Sequence, residues 1–235
     1  MSGVRSIYRS EGCNWMKPRI AVIGSTLEGV ACAHSILDQK PEYQISLITE
    51  DAEVGFPEEG ESPGLVEFKE WGGIPEDWYG NLGSQQPNGE SSAVRRSWLL
   101  KSLMTCFGKR GGTILLRGCS VSVGASSGSV SFQGGGEVGS GSIHFEQVVD
   151  CLGTREEGAI WNGGVCDTIV LGGDCLSGIR ADGTVEVWWC ESEPRDVQWI
   201  QRMSWTGDDP TSSLIDDIRT GVEKATIACE TKRPG

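Results

Sequence analysis

The stretch Ile20-Ala21-Val22-Ile23-Gly24-Ser25-Thr26-Leu27-Glu28-Gly29-Val30 decides how the rest of the chain is read. Its four consecutive apolar residues have the character of a short strand buried on both faces of a parallel sheet. Gly24 to Gly29 then forms a tight turn. Val30 to Leu37 predicts a helix that carries Ala31, Ala33, Ile36 and Leu37 as small and apolar contacts, and Pro41 stops it. Ile45 to Ile48 is the next buried strand and runs out on Glu50 and Asp51. Strand, helix and strand in about 30 residues make one βαβ unit.

Outward from that unit the reading becomes coarser. Residues 52–90 are loop-rich, with prolines at 57, 63, 75 and 87, and Leu65 to Trp71 reads as a short helix. Ser92 to Phe107 predicts a helix with Val94, Trp98, Leu99, Leu103 and Met104 on its apolar face, closed by Gly111 and Gly112. From Thr113 to Val149 short strands alternate with turns: Thr113 to Leu116, Ser120 to Val123, Val130 to Phe132, Ile143 to Phe145 and Gln147 to Asp150. Thr168 to Leu171 and Val185 to Trp189 read as strands, in a region made aromatic by Trp161, Trp188, Trp189, Trp199 and Trp205. Ser212 to Cys229 closes the chain as an amphipathic helix with Leu214, Ile215, Ile218, Val222 and Ala225 on one face.

Composition removes several classes. Twenty basic against 33 acidic residues give a net charge of −13. That disfavours nucleic acid and anionic membrane surfaces, which reward clustered Lys and Arg. A small anion at a helix N-terminus remains compatible. No apolar run reaches the roughly 18 residues of a membrane span, and Met1 to Met16 lack the apolar core of a secretory signal. The nine cysteines form no CxxC pair and read as reduced thiols of a cytoplasmic protein. With only His34 and His144 as imidazoles, neither a metal site nor a Ser-His or Cys-His nucleophile is expected. His34 reads as a packed or surface helix residue, His144 as a solvent-facing strand residue, and Trp188 and Trp189 as core residues on opposite faces of a strand.

The chemistry sits in the turn. A dinucleotide-binding fingerprint places glycine first for the turn, third for close approach to a pyrophosphate, and sixth for packing of helix on strand. Gly24 and Gly29 fill the first and sixth places; Thr26 stands third, where a β-branched side chain crowds a phosphate and resists positive φ. Glu50, about 20 residues on, has the place of a carboxylate that accepts ribose hydroxyls. The alternative is a plain βαβ turn with a solvated Glu50.

Four segments in order resemble the FAD-binding domain of the glutathione-reductase-like flavoproteins, in the branch of flavin monooxygenases, halogenases and geranylgeranyl reductases. They are the βαβ unit, Arg95-Arg96-Ser97-Trp98-Leu99-Leu100 before Gly111-Gly112, Val148-Val149-Asp150-Cys151-Leu152-Gly153, and Gly207-Asp208 before the last helix. The loop Glu59-Gly60-Glu61-Ser62-Pro63-Gly64 is similar to one that runs beside the flavin in the halogenases. The resemblance implies a three-layer FAD/NAD(P)-binding α/β fold, Rossmann-like, with a parallel sheet and a small β-meander over about 113 to 149. It implies FAD as cofactor: Gly24, Ser25, Thr26 and Gly29 at the pyrophosphate, Glu50 at the adenosine ribose, Arg96 (or Arg95) at a phosphate or the flavin, Gly153 near the adenine and Asp208, after Gly207, at the ribitol. Gly172-Gly173-Asp174 is a second candidate for the last motif.

The expected organisation is an N-terminal extension over 1–16 and one FAD-binding-type domain over 17–235, with short insertions at about 67–91 and 155–206. The expected function is flavin-mediated oxidoreduction of an unidentified small molecule, with that molecule or a redox protein as partner. No catalytic acid or base is identifiable, and the halogenase tryptophan signature and lysine have no counterpart. The alternatives are a cofactor-free binding or accessory protein with a degenerate phosphate site, or an NAD(P)-dependent reductase, which leaves the β-meander and the final Gly-Asp helix unexplained.

Overall fold

The apolar run that opened the sequence becomes β1 (Arg19–Ile23), and every residue after Arg19 is buried. α1 (Leu27–Gln39) crosses over to β2 (Gln44–Thr49), which runs parallel to β1 with Ile23 opposite Ile48. β3 (Thr113–Leu116) pairs parallel with β2, and β7 (Gln147–Asp150) pairs parallel with β1, giving a four-stranded parallel sheet in the order β3-β2-β1-β7. The computed structural model describes residues 17–51, 53–55, 58–116, 122–123, 128–132, 141–152, 158–170 and 174–230.

Pleat alternation gives the sheet two different apolar faces. Ile20, Val22, Ile45 and Leu47 face a core shared with α1, α4 (Arg96–Lys109) and α5 (Ser213–Glu230). Ala21, Ile23 and Ile48 face Val130 and Phe145, where β4 (Ser122–Val123), β5 (Ser129–Phe132) and β6 (Gly141–His144) form an antiparallel meander. Helices, parallel sheet and meander are the three layers of an FAD/NAD(P)-binding-type α/β fold. The meander is smaller than expected from sequence, because β3 and β7 belong to the parallel sheet.

Beyond β7 lies a second sheet that the sequence had only partly outlined. β8 (Ala159–Cys166), β9 (Cys175–Ile179), β10 (Val185–Trp189) and β11 (Gln201–Gly207) form an antiparallel sheet in the order β11-β8-β10-β9. Trp188 faces a core with Val165 and Met203, and Trp189 faces another with Val185 and Val187. The strand expected from Thr168 to Leu171 is not there: residues 168–170 are irregular and Leu171 lies outside the described residues. Gly172 and Gly173 lie outside them too, and Asp174 is exposed.

Two loop segments join the sheets, and they correct two helix boundaries. Ser92 and Ala93 were expected to be helical; instead both N–H groups donate to Ile179 O of β9, at 2.9 and 3.1 Å, and α4 begins only at Arg96. Leu65 was also expected in a helix, but it bridges Ala93 as extended chain. The helix there shrinks to α3 (Phe68–Trp71), preceded in the chain by the single turn α2 (Glu58–Glu61). Tertiary pairing overrides local propensity at both places. No helix among the described residues is long and apolar enough to cross a membrane.

Candidate functional site

The turn after β1 is shaped by its two glycines. Gly24 has φ of +115° and donates its N–H to Ile48 O at 2.9 Å. A Cβ at Gly24 would strike the carbonyl oxygen of Cys151, just past the end of β7. A Cβ at Gly29 would strike the carbonyl oxygen of Gly24, so first and sixth positions pack on each other and on β7. Thr26 departs from expectation. It is the N-cap of α1 at φ −68° and ψ 171°, an ordinary extended conformation for a β-branched residue. Its hydroxyl makes no capping bond, so no side chain of the cap covers the first-turn amides of α1.

Ser25, 2% exposed, turns its hydroxyl inward. Ser25 Oγ donates to Asp51 Oδ2 at 2.5 Å and accepts from Thr49 Oγ1 at 3.0 Å and from the Gly55 N–H at 3.2 Å. Asp51 Oδ2 also accepts from Thr49 Oγ1 at 3.0 Å. Asp51 is therefore the carboxylate tied to the turn, while Glu50, the residue before it, is exposed. Sequence reasoning had passed over Asp51, although a Ser-Thr-Asp set closing one turn was visible as residue types.

Arg96 is 5% exposed. Its Nη1 donates to Pro63 O at 3.2 Å and to Ser213 Oγ at 3.4 Å, and its Nη2 pairs with Asp217. It thus fastens the start of α4 to the 60–64 loop and to the first turn of α5. Gly207 ends β11, buried, with its carbonyl accepting from Trp161 Nε1 at 3.2 Å. Asp208 is exposed; the next residue, Asp209, forms the turn, its Oδ1 accepting from the Thr211 N–H and the Thr211 hydroxyl, both at 2.8 Å. An Asp two residues before a Thr was a readable signal for that turn. Gly153 lies outside the described residues. The Cys151 thiol is pushed up by its hydrogen bond with Cys32 and by burial, which keeps it protonated rather than nucleophilic.

A cavity of about 240 Å³ opens between the loop after β2, the start of α4 and one side of the antiparallel sheet. One wall is Val54, Gly55, Gly60 and Ser62; a second is the first turn of α4, from Arg95 to Trp98, with Lys101; Arg180, just after β9, and Gln201 at the start of β11 close the third. Gly55 is shared between this wall and the Ser25 network, so cavity and glycine turn adjoin. Among the described residues, three of the four cations at the cavity have carboxylate partners: Arg96 with Asp217, Lys101 with Glu53 at 2.6 Å, and Arg180 with Glu186 at 2.6 Å. Arg95 instead lies over the Trp98 ring, 5.5 Å from its centroid.

No family model matches the sequence, and no curated protein matches it. Solved structures do. The chain is similar to CabE, an aromatic hydroxylase from angucycline biosynthesis, at a TM-score of 0.55 and 12% identity, covering 90% of this chain and 62% of that one. It is similar to MibH, a tryptophan 5-halogenase, at 0.61 and 10%, covering 96% and 70%. It is also similar to a flavoprotein/dehydrogenase from Cytophaga hutchinsonii, at 0.58 and 10%, covering 91% and 78%. At these identities the likeness is one of fold, and the chain spans less than two thirds of the hydroxylase.

Proposed function

We propose that this chain binds FAD and carries flavin-mediated oxidoreduction of a small molecule. The observation that carries the reading is that the glycine turn before α1 and the start of α4 both fasten on the loop after β2, through Ser25 to Asp51 and Gly55 and through Arg96 to Pro63 O, with Arg96 also reaching Ser213 of α5. A helix N-terminus favours an anion, and that of α1, entered through a glycine turn, suits a diphosphate. The residues fit the group: the turn has no side chain at Gly24 or Gly29, Thr26 sits at negative φ, and the Thr26 hydroxyl makes no capping bond. The turn from Gly24 to Gly29 would cradle the pyrophosphate, Gly24 by its lack of a side chain and the residues after it through backbone N–H groups, with Glu50 at the ribose hydroxyls and Asp208 at the ribitol. Arg96 would keep the start of α4 against the flavin. When bound, the isoalloxazine supplies the redox chemistry, and protein groups orient it. Oxidoreductases seen among the structural neighbours support the class of reaction, and the substrate is open.

The test is direct. Protein reconstituted with FAD should absorb at about 450 nm and melt higher, since ligand at 100-fold its dissociation constant adds about 2.7 kcal/mol. Glu50→Ala should weaken FAD binding about tenfold by removing a charged hydrogen-bond acceptor. A colourless protein whose melting temperature ignores FAD overturns the reading.

A second reading is favoured by one observation: Arg96, Lys101 and Arg180 are each already paired with a carboxylate. A cofactor-free protein that keeps the fold for binding or as an accessory would look this way. Thr26→Gly separates the two, because FAD binding in that variant alone marks a degenerate phosphate site.

A further inference from the structure

Glu186 has 0% exposure in β10, the second strand from the β9 edge of the antiparallel sheet. An ionised carboxylate in such a place is stable only when its oxygens are fully partnered. Here one oxygen, Oε1, accepts from the Gly64 N–H at 2.7 Å and from Trp188 Nε1 at 2.8 Å. The other, Oε2, accepts from Arg180 Nε at 3.1 Å and Arg180 Nη2 at 2.6 Å. Two of those donors belong to different walls of the cavity. Arg180 lines it directly, and Gly64 continues the loop whose Gly60 and Ser62 line it. That loop has little other freedom: a Cβ at Gly64 would strike Val94 O, and Arg96 donates to the carbonyl of Pro63.

We propose that Glu186 is the positioning residue of the cavity, holding Arg180 and the 60–64 loop in register from behind while touching no ligand itself. The inference rests on the cavity being part of the flavin site, and it makes the antiparallel sheet a working wall of that site.

The experiment compares wild type, Glu186→Gln and the double variant Arg180→Leu/Glu186→Leu by amide hydrogen exchange, and by titration with FAD. The double variant guards against misfolding, because replacing a buried ion pair by apolar residues is often neutral or stabilising. Exchange over residues 60–66 should rise about tenfold in the double variant and less in Glu186→Gln, which keeps one acceptor oxygen, while β1 and β2 stay protected. Where FAD binds the wild type, its affinity should fall in the same rank order, by about tenfold in the double variant, with a shifted absorption band. Unchanged exchange over 60–66 in the double variant overturns the proposal, whether or not FAD binds. Faster exchange with full FAD affinity overturns it as well. Faster exchange in a protein that never binds FAD retains the positioning role and rejects the flavin reading alone.

Discussion

At the scale of single residues, the glycine turn hangs on one hydroxyl. Ser25 Oγ is donor to Asp51 and acceptor for Thr49 and Gly55. Ser25→Ala leaves the Gly55 N–H without that acceptor and removes one of the donors to Asp51 Oδ2. The expected loss is about 1–3 kcal/mol, the range for a buried polar group stripped of its partner, read as a lower urea midpoint with an unchanged slope. A midpoint equal to wild type would show that Thr49 holds the turn alone. Gly24 and Gly29 were legible in the sequence because a turn between strand and helix makes a local demand on φ and on space. Thr26 was misread for the same reason: the third place was assigned positive φ, but the chain uses Thr26 as an extended N-cap. The difference in role between Glu50 and Asp51 was not legible, since adjacent residues at a strand end differ only in where the pleat sends them.

At the scale of elements, local patterns succeeded where the element is held by its own sequence and failed where a distant strand holds it. β1, α1 and β2 follow from period and punctuation. The start of α4 does not, because Ser92 and Ala93 are drawn out by Ile179, more than 80 residues later. β8 was not outlined in the sequence; its Gly163 and Gly164 are strand residues whose missing side chains admit the rings of Trp188 and Trp199. The last helix was read correctly as amphipathic, but its contact with α1 depends on Gly221, where a Cβ would strike Glu28 O and approach Cys32 N to 2.9 Å. Two effects oppose each other in Gly221→Ala. Helix propensity favours Ala by about 1 kcal/mol, and overpacking against backbone costs about 1–3 kcal/mol. The overpacking should prevail, because backbone of α1 cannot rotate aside as a side chain does. The variant should melt lower, with exchange quickening first in α5. A higher melting temperature would mean that α5 slides without loss.

At the scale of the whole molecule, stability against pH reports how the helical layer is tied together. His34, fully buried in α1, stacks on Trp78 at 5.1 Å between centroids. Its Nε2 lies 2.9 Å from Leu103 O of α4, and its Nδ1 lies 2.7 Å from Arg110 Nη1. Arg110 in turn pairs with Asp38, which accepts from Trp78 Nε1 at 2.8 Å, so one neutral imidazole joins α1, α4 and the 75–82 loop. A donating Arg110 requires Nδ1 unprotonated and Nε2–H donating to Leu103 O. Burial lowers the pKa of His34 from 6.5 to about 4, with Arg110 adding to it and Asp38 and Asp77 opposing. Between those two values the unfolded chain binds a proton that the folded chain refuses. His34 therefore contributes stability that is complete above pH 6.5 and declines as pH falls, and it is gone below about 4. The whole effect is about 3 kcal/mol at 1.36 kcal/mol per unit. Carboxylates titrating at the acid end act on wild type and variant alike, so the quantity to measure is the difference in unfolding free energy between wild type and His34→Gln. That difference should grow by about 3 kcal/mol in favour of wild type from pH 4 to pH 7. If it stays constant across that range, His34 takes up its proton inside the fold, and the imidazole does not hold the helical layer as a neutral group.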